Sequence, residues 1–269
     1  MTFNLAQLAR QAGRRTNVTL APIEITDTLK RELYAITVLP VRGWEQQVRQ
    51  RVRPGYAQAI STLTRDDESD DMAEIIRISE ALVAAGLVEV EVRVERWLTQ
   101  AVKWHEERWN AAVRSGTGID VFPFIDRRQN DARVKAFLRR ITNLISDIDA
   151  TARKDIAETV WRGFTEQTPR RDVAKELTRR LGIQRARANR IAVDQAQKLN
   201  GELTAIRMAE AGLSAYKWRH SGKRNYRPEH LARNGKVYKL GQPAGDEPGF
   251  KPFCGCIRLP IVDVEELYG

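Results

Sequence analysis

Cysteine is scarce in this chain of 269 residues, which has only Cys254 and Cys256. Two cysteines are too few for a disulfide scaffold, and the single residue between them disfavours a disulfide joining the pair. Three possibilities remain open for them: free thiols, metal ligands or a redox site. The chain also lacks a Gly-rich phosphate loop, paired catalytic carboxylates and a serine-nucleophile motif, so the common hydrolase and nucleotide-binding patterns are missing.

Long apolar runs are absent as well. No stretch approaches the length needed to span a bilayer. The N-terminal sequence MTFNLAQLARQAGRR has no uninterrupted apolar core and therefore does not resemble a secretory signal. We expect a soluble protein with no membrane partner, kept in the cytoplasm until it joins an assembly.

Positive charge is in surplus, with 45 Lys and Arg against 35 Asp and Glu and a formal net charge of +10. Such a surplus favours contact with polyanions such as DNA, because each neutralised phosphate releases a counterion. Many soluble basic proteins bind no nucleic acid, so charge alone leaves this open.

Hydrophobic spacing predicts helices over most of the first 212 residues. A helix from Asp27 should stop at Pro40, and a second should end at Pro54. The segment 88–94 alternates as a strand does, but the longer stripe from Val90 to Trp104 steps by three and four, which predicts a long helix. The acidic run 66–71 lacks the glycine and ligand spacing of a calcium loop, and indicates a solvated loop or a helix N-terminus.

Two further helices are expected before residue 212. The first begins after Thr168 and stops at Gly182, and the second covers about Arg185 to Ala211. Three arginines, Arg185, Arg187 and Arg190, crowd the predicted start of the second helix, where positive charge is unfavourable. They are either held by acidic groups or simply solvated, and we take them as candidate DNA- or partner-binding residues.

After Gly212 the helical period disappears. Residues 214–218 and 236–240 are typical of short strands, with Asn234-Gly235 as a turn. The sequence therefore predicts a mainly α protein, with a long-helix N-terminal region followed by a small α+β C-terminal module. The expected divisions are 1–125, 126–212 and 213–269.

The C-terminal module has four candidate metal ligands: His220, His230, Cys254 and Cys256. Imidazole and thiolate are suitable zinc ligands, and a small module often needs a metal ion or disulfides for stability. The one-residue cysteine spacing is unusual for zinc, however. The alternative is two small buried cysteines and a hydrogen-bonded histidine without metal.

The same module contains the residue types of a metal-independent ribonuclease, with histidines as acid and base and a cation for the phosphate. Those residues are His220, Lys223, Arg227, Glu229 and His230. Lys223, Arg224 and Arg227 are also candidates for binding DNA or a partner.

Several ordered elements together resemble the Mu-type phage head-morphogenesis proteins, a family of minor capsid proteins. The resemblance covers about Thr168 to Pro260, and the N-terminal half only in its long helices. Its elements are an Arg-rich helix with Ile191 to Gln195, a helix end at Glu210 to Gly212, Trp218, Arg227 and His230, the Asn234-Gly235 turn, and the C-x-C of Cys254 and Cys256.

The resemblance implies a minor capsid protein of a tailed phage or prophage, present in few copies inside the head near the portal. It would act in head assembly and in DNA packaging or ejection, and lie in the host cytoplasm before assembly. The implied partners are the portal protein, major capsid or scaffold proteins and packaged double-stranded DNA. The alternatives are a nucleic-acid-cleaving enzyme using His220 and His230, and a basic helical DNA-binding protein unrelated to phage.

Two positions depart from the family pattern. Many relatives have an acid where this chain has Asn225, and His-Pro where it has Lys251-Pro252. These departures weaken both the zinc and the enzyme interpretations.

Overall fold

A computed structural model describes residues 2–61, 67–125 and 131–266. Within these ranges it shows long helices and one small antiparallel sheet, so the predicted mainly α class is confirmed. The helices are α1 Leu5–Gln11, α2 Asp27–Thr37, α3 Leu39–Gln47, α4 Arg53–Ser61, α5 Asp67–Leu87, α6 Val90–Thr117, α7 Asp131–Thr165, α8 Arg170–Glu210 and α9 Pro228–Ala232. The strands are β1 Val18–Thr19, β2 Ala215–Arg219, β3 Val237–Lys239 and β4 Ile257–Val262.

Two compact units interleave along the chain. The sheet unit consists of residues 1–30, 96–137 and 193–269, and the helical unit of residues 31–95 and 138–192. Neither coincides with a range expected from the sequence, because helices such as α6, α7 and α8 begin in one unit and end in the other.

The helical unit has an apolar core to which α3, α4, α5, α7 and α8 contribute. Trp44 is 1% exposed, and its indole N–H donates to Asp149 Oδ1 at 2.7 Å. The Tyr56 hydroxyl donates to the Thr168 carbonyl at 2.8 Å. Both aromatic rings are therefore buried with their polar atoms satisfied, as the interior requires.

Pro54 does not end a helix, and that prediction is wrong. The chain leaves α3 through a π-helical turn, Val48–Val52, and continues into α4, where Pro54 lies in the first turn. The π-helical turn, in which the Arg53 N–H donates to the Val48 carbonyl, interrupts the regular i to i−4 ladder just before Pro54, so a residue without an N–H is tolerated there.

Gly182 does not stop the central helix either. α8 is a single helix of 41 residues, so the prediction of two helices is wrong and Arg185, Arg187 and Arg190 lie well inside it. A glycine within a helix costs about 1 kcal/mol relative to alanine. Burial of a single leucine contributes about 1.5–3 kcal/mol, and the neighbouring Leu181 is only 3% exposed.

Two other predictions from the sequence are confirmed. The long helix through Val90 and Trp97 is α6, and both side chains are buried. The acidic run forms a helix N-terminus, since α5 begins at Asp67, while Asp66 lies outside the described residues.

The sheet unit contains a four-stranded antiparallel sheet in the order β1-β4-β2-β3. Tyr216 of β2 lies opposite Tyr238 of β3 and Pro260 of β4. The predicted strands β2 and β3 are confirmed. β1 and β4 were not predicted, because β1 has two residues and Pro260 argues against an internal strand.

The end of α8 shows why a glycine follows it. Gly212 has a φ of +65°, in the left-handed region that favours glycine. A Cβ there would come within 3.1 Å of the Phe3 carbonyl. The chain can therefore turn sharply toward β2 at Gly212, and the segment before α1 packs directly against this glycine.

Within the part of the chain that the structure describes, no helix combines the length and apolarity needed to cross a membrane.

Candidate functional site

The buried histidine and cysteines of the C-terminal region meet in the sheet unit, near the start of β4. Cys256 directly precedes β4, whose first residue, Ile257, pairs with Arg219 at the end of β2. His230 lies on the short helix α9. Cys254 and Cys256 are each 4% exposed and His230 is 2% exposed. Strand pairing and α9 together bring these three side chains into one core.

The His230 ring presents its Nδ1 atom to both sulfurs. The distance from Nδ1 is 3.4 Å to Cys254 Sγ and 3.7 Å to Cys256 Sγ. One ligand atom from each residue can be chosen so that all three lie within 4.8 Å of one another. Among the described residues this is the one group of three or more His, Cys, Asp or Glu with such spacing.

The opposite ring nitrogen of His230 is held by an acid. His230 Nε2 lies 2.9 Å from Asp246 Oδ1, while Arg233 and Lys251 contact Asp246 Oδ2 at 2.7 and 3.2 Å. Burial raises the pKa of the Asp246 carboxyl, but the hydrogen bonds from Arg233, His230 and Lys251 outweigh burial and leave the pKa below its ordinary value. Asp246 is therefore a carboxylate that accepts a proton-bearing Nε2.

The two thiols interact with each other. The interaction with Cys256 lowers the pKa of Cys254 below its ordinary value, against the opposing effect of burial, and the backbone N–H groups of Cys256 and Gly249 lower it further. The same interaction and burial raise the pKa of Cys256, which the Ser221 amide and the Trp218 indole partly oppose. The buried Trp218 N–H has no hydrogen-bond acceptor among the described residues besides this interaction with the Cys256 sulfur.

His220, the fourth predicted ligand, lies outside this group. Its Nδ1 accepts the Gly222 amide at 3.1 Å, and its ring packs edge-on against Tyr226 at a centroid distance of 5.4 Å. The structure thus brings together three of the four predicted ligands and places His220 in the loop after β2.

The residues of the ribonuclease interpretation hold the cysteine loop in place. Lys223 Nζ donates to the Phe253 carbonyl at 3.3 Å, and Arg227 donates to the Pro252 carbonyl at 3.1 Å. His230 is buried with partners at both ring nitrogens, and Glu229 is exposed. These contacts favour a structural role over acid–base catalysis.

The candidate arginines of α8 differ in their partners. Arg185 forms an ion pair with Glu45, and Arg187 with Asp147, all within the helical unit. Arg190 is exposed, as is Arg224 in the sheet unit. Acidic groups of the protein therefore hold two of the three helix arginines.

Two residues of the candidate site were not found from the sequence. Asp246 lies in an irregular loop with no periodic signal, and only the fold places it beside His230. Lys251, noted only as a departure from the family pattern, contacts the same carboxylate. Asp194 was recognised as part of the family motif, but its contact with Phe253 could not be read from the sequence.

Buried ionic contacts also surround the E-A-G element at the end of α8. Arg207 contacts Glu210 at 2.6 Å and Glu106 at 2.8 Å, and all three side chains are almost fully buried. These buried ion pairs lie within the sheet unit, which also contains Cys254 and Cys256.

Comparison with known proteins supports the phage interpretation. Residues 154–259 match the family model described as "Phage Mu protein F like protein". This match confirms the resemblance to the Mu-type head-morphogenesis family for that segment, and it includes His230, Cys254 and Cys256.

One relative is a Haemophilus influenzae (strain ATCC 51907 / DSM 11121 / KW20 / Rd) protein named "Uncharacterized protein". It is 27% identical over 157 residues, which are 57% of this chain and 35% of the relative. The chain thus covers about a third of the relative's length. No solved structure matches the chain.

Proposed function

We propose that this chain is a minor head protein of a tailed phage or prophage. It would lie inside the head near the portal and act in head assembly and in DNA packaging or ejection. The observation that carries the proposal is the family match over residues 154–259. The buried contacts made by the motif residues support it, because they explain the motif as a framework and not as a catalytic set.

The proposed partners are the portal protein, major capsid or scaffold proteins and packaged double-stranded DNA. The net charge of +10 supports contact with DNA, and Arg190 and Arg224 are exposed cations that could meet phosphates. Before assembly the protein would lie in the host cytoplasm.

Purified particles provide the decisive experiment. Heads from the phage or induced prophage that encodes the chain are isolated and analysed by quantitative mass spectrometry, with the major capsid protein as the reference for recovery. We expect the chain in the heads at a copy number far below that of the major capsid protein, and expect it to copurify with the portal ring. Its absence from intact heads and from head precursors would refute the proposal.

The enzyme alternative is tested with the same protein. Incubation with single- and double-stranded DNA and with RNA should leave all of these substrates intact. Both ring nitrogens of His230 are already engaged by Asp246 and Cys254, so neither is available to a substrate. Cleavage that disappears in both His220→Ala and His230→Ala would replace the structural proposal with the enzymatic one.

A further inference from the structure

We propose that His230, Cys254 and Cys256 bind one Zn²⁺ ion through Nδ1 and the two sulfurs, and that the ion stabilises the fold of the C-terminal module. The inference rests on the geometry of this core and is independent of the proposed role in the phage head.

The spacing of the ligand atoms fits a shared tetrahedral ion. With Zn–S of about 2.3 Å and Zn–N of about 2.0 Å, tetrahedral angles separate nitrogen and sulfur by about 3.5 Å. The two observed distances from Nδ1 to sulfur are 3.4 and 3.7 Å. Both nitrogen–sulfur distances therefore already fit a shared ion, and the two sulfurs lie within 4.8 Å of each other.

The contacts of His230 prepare Nδ1 as a ligand. Asp246 accepts from Nε2 at 2.9 Å, and this assigns the ring proton to Nε2 and leaves the lone pair of Nδ1 facing the sulfurs. Arg233 and Lys251 hold the other Asp246 oxygen. An acid behind a ligating histidine fixes both its tautomer and its orientation.

The surroundings of the sulfurs also suit ligands. Cys254 and Cys256 are each 4% exposed and lie in one apolar cluster with Trp218, so both sulfurs are shielded from solvent. Deprotonated to thiolates, they become metal ligands. Paired thiolates with an imidazole select zinc over magnesium or calcium, which prefer oxygen.

The position of the site indicates a structural ion. His230 belongs to α9, and Cys256 leads directly into β4, so one ion would join two separate segments of the module. All three ligands are buried in the same apolar cluster as Trp218 or in contact with it. A module of this size has a thin core, and a metal is one of the ways in which small folds gain stability. Three protein ligands are one fewer than closed structural sites have, and they leave the fourth position to water or another small ligand. The structural role is therefore inferred from the two segments that the ion would join and not from the number of ligands.

Metal analysis of the full chain tests the proposal. The protein is produced in zinc-supplemented medium, dialysed against metal-free buffer and analysed by inductively coupled plasma mass spectrometry for all transition metals. We expect about one zinc per chain in the wild type and in the control His220→Gln, and a loss of about tenfold or more in Cys254→Ser and Cys256→Ser. Wild-type protein that contains no zinc and takes up none on addition of the ion would overturn the proposal, as would full zinc content in both cysteine variants.

A second measurement keeps the test decisive if the cysteine variants do not fold. Zinc is removed from the wild type by a chelator and replaced by Co²⁺, whose absorption reports thiolate ligation and tetrahedral geometry. We expect thiolate-to-cobalt charge-transfer bands in the wild type and in His220→Gln; their absence from folded wild-type protein would contradict the inference. Asp246→Asn should bind zinc about 10- to 100-fold more weakly, if Asp246 acts as the positioning residue behind His230.

Discussion

Asp194 on α8 accepts the backbone N–H of Phe253 at 2.6 Å, although the two residues are 59 positions apart. The other Asp194 oxygen accepts from Lys198 at 2.7 Å and from Gln195 at 3.0 Å. Phe253 directly precedes Cys254. The acid in the helix motif of the family therefore anchors the loop that carries the C-x-C, and the two motif elements form one framework.

The backbone at Phe253 gives the first prediction. Its φ of +59° lies in the left-handed region, which costs a non-glycine residue about 1–2 kcal/mol, and the side chain is 55% exposed. We expect Phe253→Gly to be more stable than Phe253→Ala by about 1 kcal/mol, because only glycine relieves this conformation. Urea denaturation of the two variants measures the difference.

The matched control lies within a helix. Ile183 of α8 is 46% exposed, and there the order should be reversed, with Ile183→Gly less stable than Ile183→Ala by about 1 kcal/mol. The same order of glycine and alanine at both positions would contradict the prediction.

A second prediction concerns the buried cation Arg207. Its side chain is 1% exposed and contacts Glu106 at 2.8 Å and Glu210 at 2.6 Å. Arg207→Met removes the cation shared by two buried acids, and we expect a loss of about 3–5 kcal/mol in the free energy of unfolding. Denaturant unfolding followed by circular dichroism measures this loss.

Arg133 provides the comparison for Arg207. It contacts Glu202 at 2.7 Å, but its side chain is 57% exposed. Arg133→Met should cost less than about 1 kcal/mol, because water screens an exposed pair. Equal losses in the two variants would contradict the prediction, because burial would then not determine how much an ion pair contributes to the free energy of unfolding.

Much of the helical architecture could be predicted from the sequence, because a buried helix face leaves a local pattern. The stripe from Ala192 through Leu199 to Ile206 is buried as expected. The strand β4 and the continuity of α8 through Gly182 could not be predicted, because both depend on distant partners. β4 is stabilised by pairing with β2, and Leu181 beside the glycine is buried in a core formed by other helices.

The candidate site, too, could be predicted from the sequence only in part. Residue type was enough to select His230, Cys254 and Cys256, since few side chains bind soft metals. It could not separate His230 from His220, because which of the two histidines faces the cysteines is decided by α9 and the β2–β4 pairing. Asp246 was missed for the related reason that an acid in an irregular loop has no sequence signature.

The third prediction concerns pH and the buried His105. It is 1% exposed, its Nε2 lies 3.1 Å from Thr204 Oγ1, and burial, with a smaller contribution from the Arg207 charge, lowers its pKa to about 3. The unfolded chain binds a proton at this residue near pH 6.5, whereas the folded chain does not until about pH 3. The contribution of neutral His105 to the free energy of unfolding is therefore fully present above about pH 6.5. It is lost as the pH falls toward 3, with a slope of at most about 1.4 kcal/mol per pH unit.

Replacing the titrating group tests this dependence. In His105→Gln the free energy of unfolding between pH 6 and 4 should fall less steeply than in the wild type, by up to about 1.4 kcal/mol per pH unit. His220→Gln, which changes a histidine of the loop after β2, is the matched control. A slope in His105→Gln identical to that of the wild type would show that His105 does not titrate differently in the two states.

The last prediction tests direct contact with DNA. Arg224 and Arg190 are exposed, whereas Arg185 is engaged by Glu45. If the exposed arginines meet phosphates, each of Arg224→Ala and Arg190→Ala should reduce the slope of log affinity against log salt by about 0.9, the value for one released phosphate contact. Fluorescence anisotropy with a labelled duplex over a range of salt concentrations measures the slope. Arg185→Ala should leave it unchanged, because that arginine already has an acidic partner. Unchanged slopes in both exposed-site variants would exclude these two residues from the DNA contact, and would leave the surplus of positive charge to be explained by other lysines and arginines.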